Sequence, residues 1–173
     1  DFISPKSRVS LRYRNAVLEL AETEGVARPL VNGGRLSTPT PYLHSSLNTS
    51  DAQPFGGSMK PGSNCADAPV RQGGQPAWLL NVLNTLHGPA GGFTLLSFGP
   101  KPAVASVSEG AVTARVLHVG SDIEDNEGLL AQRYDGQPGT TVLIRPDQHL
   151  AARWRDFDAE KIGAALRRCL GER

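Results

Sequence analysis

Two dense apolar runs, Phe93–Phe98 (FTLLSF) and Ala114–Val119 (ARVLHV), constrain this chain more than any other feature. Each has the length of a strand rather than of a helix, and glycines bound the first on both sides. Runs with so little polar face belong in the middle of a parallel sheet whose two faces are covered by helices. The chain is therefore expected to be α/β. Its 173 residues, 39% hydrophobic and 20% charged, suffice for one domain and some additional structure.

Local signals place the elements around these runs. Trp78, Leu79, Leu80, Val82, Leu83 and Leu86 predict a short buried helix ahead of the first run, and Pro102 to Glu109 predict one or two helical turns between the runs. A helix around Glu127 to Tyr134 leads to Thr140–Arg145 (TTVLIR) and His149–Trp154 (HLAARW), which meet at Pro146-Asp147-Gln148 and read as a hairpin. Asp158 caps a last helix, with Phe157 stapled onto Ile162 and a buried stripe of Ile162, Ala165, Leu166, Cys169 and Leu170 up to Gly171. The order from residue 76 is helix, strand, weak helix, strand, helix, strand, strand, helix.

Ahead of this lies different material. Ser4 and Pro5 predict the start of an amphipathic helix over residues 5–24, with Val9, Tyr13, Ala16, Val17, Leu20 and Ala21 along one stripe and Gly25 as its left-handed end. From Ala27 to Gly74 prolines and glycines recur without a helical or strand period, a stretch too long for an ordinary connection inside a compact domain. It reads as a functional loop, a linker or a fragment of structure that lies outside the chain, the last being preferred. The first residue is Asp1 and not methionine, so the amino end is expected to be processed, trimmed or cut from a larger protein.

The chemistry-bearing residues are sparse. Lys and Arg are scattered among acids for a formal charge of +1, which provides no phosphate-binding face and makes nucleic acid an unexpected partner. Cys65 and Cys169 have neither CxxC nor metal-ligand spacing, and this usage suggests a reducing, cytoplasmic setting. No run approaches the roughly 18 apolar residues of a membrane span, so no membrane partner is expected. His44, His87, His118 and His149 share no ligand register, and His118 reads as a satisfied core histidine. Ser58 and Lys60 sit in a glycine-rich loop and do not read as a nucleophile pair. The acids Asp122, Glu124, Asp125 and Glu127 read as the start of a helix and not as a cation site. Gly33-Gly34-Arg35 reads as a turn, and the chain contains no GxGxxG. No catalytic, cofactor-binding or metal-binding residue is expected in it.

The element order, together with RYDGQPGTTVLIRPDQHLAARW (Arg133–Trp154) and KIGAALRRCL (Lys161–Leu170), resembles the thioredoxin fold over roughly residues 60 to 173. Redox-active members place a CxxC after the first buried strand, where a helix N-terminus lowers the thiol pKa. Here Gly99-Pro100-Lys101-Pro102 follows FTLLSF, and Gly139, with Pro138 one residue earlier, stands where the cis-proline would be. A narrower resemblance accounts for both departures. VRPLVNGGRLSTPTPYLHSSLNTSD (Val26–Asp51), PGSNCADAPV (Pro61–Val70), GFTLLSFG (Gly92–Gly99) and TVLIRPDQHLAAR (Thr141–Arg153) look like the C-terminal third of FAD-dependent aromatic-ring hydroxylases related to phenol hydroxylase and 3-(3-hydroxyphenyl)propionate hydroxylase.

That resemblance implies an α/β, thioredoxin-like fold, a central mixed sheet flanked by helices, behind an N-terminal helical and loop-rich extension. Residues 1–58 would be the tail of the flavin and substrate portion, and 59–173 a noncatalytic C-terminal domain with a structural or subunit-contact role. FAD and NAD(P)H are implied for the parent hydroxylase and no cofactor for this fragment. The implied partners are the remainder of the hydroxylase chain and a second copy of it, with Asn32, Arg35, Ser37, Arg145 and Asp147 as candidate contacts. Gln148 occupies a position where this family usually has glycine. Two other readings stand beside this one: a free-standing thioredoxin- or peroxiredoxin-like protein using Cys65, and a non-enzymatic dimerisation module.

Overall fold

The computed structural model describes residues 4–31 and 39–172. The chain divides into two compact units, Asp1–Pro39 and Thr40–Arg173. In the first, α1 (Arg8–Thr23) is followed by a 3-10 turn (Gly25–Ala27) and the single turn α2 (Arg28–Val31). The helix starts later than the Ser4-Pro5 pair predicts, because the hydroxyl of Ser7 accepts the free N–H of Ser10 at 3.1 Å and takes the cap. Its end also differs. Glu24, in an extended conformation at φ −109°, closes it by donating to the Leu20 carbonyl, and Gly25 opens the next turn instead of adopting a left-handed conformation. Of the expected stripe only Val17 is buried, while Val9 and Tyr13 are 79% and 62% exposed.

The second unit carries a five-stranded sheet of order β4-β5-β3-β6-β7. Its strands are β3 (Phe93–Phe98), β4 (Ser106–Glu109), β5 (Val112–Val119), β6 (Thr141–Ile144) and β7 (Leu150–Trp154). The two apolar runs form the expected parallel pair, Phe93 opposite Ala114 through Phe98 opposite Val119. The remaining pairings, β3 with β6, β4 with β5 and β6 with β7, are antiparallel. The mixed α/β architecture expected from the sequence is thus present.

Three expectations are corrected. The helical turns predicted between Pro102 and Glu109 are the edge strand β4, whose Ser-Val-Ser-Glu alternates in burial and turns through Gly110, φ +55°, onto β5. The stretch predicted to lack regular structure contains α2 and β1 (Pro69–Gln72), which pairs with β2 (Gln75–Trp78) through Gly73 and Gly74. Both glycines have positive φ, +55° and +76°, as a tight hairpin turn between twisted strands requires. Trp78, expected on the buried helix, instead ends β2 and is 50% exposed. The helix itself, α3 (Leu79–His87), begins one residue later, and Asp67 caps it from a distance by accepting the N–H of Leu80 at 3.1 Å.

Alternation along the strands divides the core between the two faces of the sheet. Leu96, Phe98, Leu117, Val142 and Ile144 face α3 and α4 (Leu129–Tyr134), where they meet Leu79, Val82, Leu130 and Tyr134. Leu95, Ala114, Leu143, Ala152 and Trp154 face α5 (Ala159–Cys169), where they meet Ile162, Ala165 and Leu166. Each fully buried leucine here contributes about 2 kcal/mol through removal of its side chain from water. Local chemistry fixes the helix starts: Asp158 accepts from Glu160 and Lys161 at the head of α5, and Asp125 accepts from Leu130 and Ala131 at the head of α4. Asp125 therefore does what the acidic run was expected to do.

Candidate functional site

The most concentrated polar chemistry in the domain is built on β7. Arg153 and the residue just past the strand, Arg155, lie two positions apart, so the pleat sends both side chains the same way. Phe55 inserts between them, with the Arg153 guanidinium 4.3 Å and the Arg155 guanidinium 3.8 Å from its ring centroid. Cations over an aromatic face are attracted by its quadrupole, more strongly where water is excluded. Arg153 is 3% exposed. A charge buried to that degree needs full pairing, and it has it: Asp51 accepts from Nε at 2.9 Å and from Nη2 at 2.7 Å, and the Met59 carbonyl accepts from Nη1 at 2.6 Å.

Arg155 completes the arrangement from the rim. It donates to the carbonyl of Pro54 and to the carbonyl and carboxylate of Asp135, and the same carboxylate accepts the N–H of Gly56 at 2.7 Å. The Gly56 N–H, aided by Arg155, holds the Asp135 carboxyl below its ordinary value. Residues 51–59 are thereby pinned to a strand about a hundred positions later in the chain. The unit boundary between Pro39 and Thr40 accordingly keeps residues 40–58 with the sheet.

The candidate contacts named from the sequence have separate fates. Arg145 donates to Asp147 at 2.7 Å, and the Asp147 carboxylate also accepts the N–H of His149, so the pair holds the β6–β7 turn. Asn32, Arg35 and Ser37 lie outside the described residues. His118 is 6% exposed and satisfied, its Nε2 donating to the Gly99 carbonyl at 2.8 Å and its Nδ1 lying 3.0 Å from the Ser121 hydroxyl. Ser58 and Lys60 meet only through backbone, the Lys60 N–H donating to the Ser58 carbonyl.

Cys65 is buried against Ala68, Tyr134 and Leu150. Burial pushes its thiol up to about 12, an effect that the neighbouring Tyr134 hydroxyl offsets only in part. A thiol in that state supplies almost no thiolate at neutral pH, which runs against a redox role. Cys169 is likewise raised by burial, to about 11. Among the described residues no group of three His, Cys, Asp or Glu side chains could hold a metal, and no helix is long and apolar enough to cross a membrane. Open clefts of about 570 and 360 Å³ run along α5 and share Ala164 and Arg168. The first is lined by Arg167, Arg168 and Glu172 and the second by Lys161 and Arg168, with no histidine or cysteine in either lining.

Arg153, Arg155, Asp51, Phe55 and Asp135 escaped the sequence reading, although one signal was available. An arginine inside a run as apolar as HLAARW is either misplaced or paired, and pairing needs a carboxylate from elsewhere.

Comparison with known proteins bears on the larger part of the chain. The family model for the C-terminal part of aromatic-ring hydroxylases matches residues 58–172. The flavin-dependent monooxygenase PieE, solved with FAD and substrate, is similar at 22% identity with a TM-score of 0.66, covering 100% of this chain and 32% of that one. Aklavinone-11 hydroxylase, solved with FAD and aklavinone, is similar at 24% identity and a TM-score of 0.53 over 74% of this chain and 26% of its own. The rebeccamycin biosynthetic enzyme RebC is similar at 24% identity and a TM-score of 0.56 over 97% of this chain and 29% of its own. These likenesses are of fold, and the chain spans about a third of each relative's length or less. No curated protein matches the chain significantly.

The end of β3 does not fit a flavin dinucleotide. Its pyrophosphate needs a strand that runs through close-packed glycines into a helix N-terminus with free N–H groups. β3 instead runs through Gly99-Pro100-Lys101-Pro102, where two prolines lack the N–H, into a further strand. With its family match over the larger part of its length, and a sheet, hairpin and closing helix where that match lies, the chain belongs to the aromatic-ring hydroxylase C-terminal family.

Proposed function

We propose that the chain is the C-terminal portion of a cytoplasmic flavin monooxygenase that hydroxylates an aromatic ring with FAD, NAD(P)H and oxygen. In this reading the second unit is a noncatalytic thioredoxin-like domain that serves subunit contact or covers the flavin and substrate portion. The family match over residues 58–172 carries it. Two features support it. The strand order β5-β3-β6-β7, one parallel pair followed by two antiparallel ones, suits a thioredoxin-like sheet. The place where redox members keep their thiols holds Gly99 and Pro100, and the remaining central thiol, Cys65, is buried and protonated. The contacts to the parent would come from the exposed Val9–Tyr13 stripe, from Asn32, Arg35 and Ser37, and from the Arg145–Asp147 turn.

Titrating FAD into the 173-residue chain, read by flavin fluorescence, tests the proposal together with an assay of NADPH oxidation. No binding and no oxidation are expected. Stoichiometric FAD binding, or turnover of NADPH by this chain alone, would overturn it.

A further inference from the structure

The two edges of the sheet are protected by different means. β4 is four residues long and presents Ser106, Ser108 and Glu109, and Glu109 is engaged by Arg167 of α5 at 2.6 Å. A short polar edge with a paired charge does not invite another strand. β7 reads Leu-Ala-Ala-Arg-Trp and is buried at all five positions despite being the last strand of the sheet. Residues 47–65, which contribute no strand to this sheet, lie along it. The Leu150 N–H donates to the Ser63 carbonyl at 2.9 Å, the Gly62 N–H to the Leu150 carbonyl at 2.7 Å, and the Thr49 N–H to the Ala151 carbonyl at 2.8 Å. Beyond the strand, the Arg155 N–H donates to the side chain of Gln53 at 2.8 Å.

We infer that residues 47–65 are a strap that caps the β7 edge against strand pairing with a second copy of this chain, and that the Phe55 sandwich and the Asp51–Arg153 pair are its latch. An uncovered β7 would offer the free N–H and C=O of Leu150 and the free C=O of Ala151 in an apolar edge strand, with the bulge at Ala151 as the remaining obstacle to pairing with its own copy. Backbone bonds hold the strap at its two ends, Thr49 to Ala151 and residues 62–65 to Gln148 and Leu150, so between residues 50 and 61 its hold depends on side chains. Those side chains converge on Arg153 and Arg155, which between them hold Asp51, Pro54, Phe55 and Met59. The second copy is the occupant that the edge itself selects, because an antiparallel β7–β7 pair sets the same apolar residues of two chains against each other.

The test compares the chain with its Phe55→Ala, Asp51→Asn and Arg153→Met variants by amide hydrogen exchange and by sedimentation over a range of concentrations. In the variants Thr49 and Gly62 are expected to exchange about tenfold faster or more, with self-association beyond that of the parent chain. Within the associated form Leu150 is expected to regain protection, because its N–H finds the second copy. Unchanged exchange at Thr49 and Gly62 would overturn the latch. Opening of the strap without new association, or association that leaves Leu150 unprotected, would overturn the cap. Global unfolding of all three variants would also overturn it, since the strap would then be core and not a cover.

Discussion

The guanidinium of Arg153 holds both carboxylate oxygens of Asp51, at 2.9 and 2.7 Å, across 102 positions of the chain. The two partners are unequally buried, with 2% of the arginine side chain and 27% of the aspartate side chain exposed. Removing one member of a buried pair strands the other, at about 3–5 kcal/mol when the survivor cannot reach water. Asp51→Ala is therefore expected to cost about 3 kcal/mol in urea denaturation, and Arg153→Met distinctly less, because Asp51 can turn to solvent. Equal losses in the two variants would contradict this reading of the pair.

Cys65 gives the stability of the domain an alkaline slope. Its thiol is raised from an ordinary 9.0 to about 12 in the folded chain, so the unfolded chain releases the proton first as pH rises. The folded state then binds more protons than the unfolded one, and stability falls with pH. The contribution is fully present below pH 9 and is lost between about 9 and 12, at roughly 1 kcal/mol per pH unit. Chemical denaturation between pH 8 and 11 should show that slope, and Cys65→Ala should lessen it, leaving the smaller slope of the same sign that Cys169 contributes between about 9 and 11. In the native chain at pH 8, Cys65 should react with a disulfide reagent roughly a thousandfold more slowly than a free thiol.

Gln148 sits in the β6–β7 turn at φ +59°, a left-handed conformation that side chains other than glycine adopt at a cost. Its side chain offsets the cost by donating to Asn84 at 2.8 Å. Gln148→Ala keeps the strain and loses the bond, whereas Gln148→Gly loses the bond and relieves the strain. The glycine variant is expected to be more stable than the alanine variant by roughly 1 kcal/mol, measured as a difference in thermal midpoint. The reverse order would show that the turn carries no strain.

Gly62 combines a positive φ of +93° with close packing, since a Cβ there would lie 2.6 Å from the Asn48 amide nitrogen and against the Tyr42 carbonyl. Gly57 has a similar backbone, φ +74°, but its Cβ would meet nothing nearer than 3.6 Å. Gly62→Ala should cost at least about 2 kcal/mol and Gly57→Ala about 1 kcal/mol, both read by urea denaturation. The difference measures how tightly Gly62 is drawn against Tyr42 and Asn48.

The strands β3 and β5, the β6–β7 hairpin and the Asp158-capped helix were legible because their signals are local. Apolar runs, a turn between Ile144 and Leu150 and a cap at the head of α5 each act within a few residues. β4 was misread as helical because four residues of Ser and Val carry little period of either kind, and pairing with β5 decided the matter. The Gly73-Gly74 turn is a hairpin signal of the ordinary kind, but it stands among many other prolines and glycines and joins strands of only four residues each.

The sequence by itself determined the α/β class, the parallel central pair, the absence of a CxxC or GxGxxG, and the likeness to aromatic-ring hydroxylases. Only the tertiary structure decided that residues 40–58 belong with the sheet and that Cys65 is sealed beside Tyr134. It alone supplied the partner that Arg153 required. The physical reason is range. Period, caps and turn residues bias the backbone within one or two turns of themselves, whereas a buried charge is satisfied only by whatever carboxylate the whole fold delivers, here Asp51 from 102 positions away.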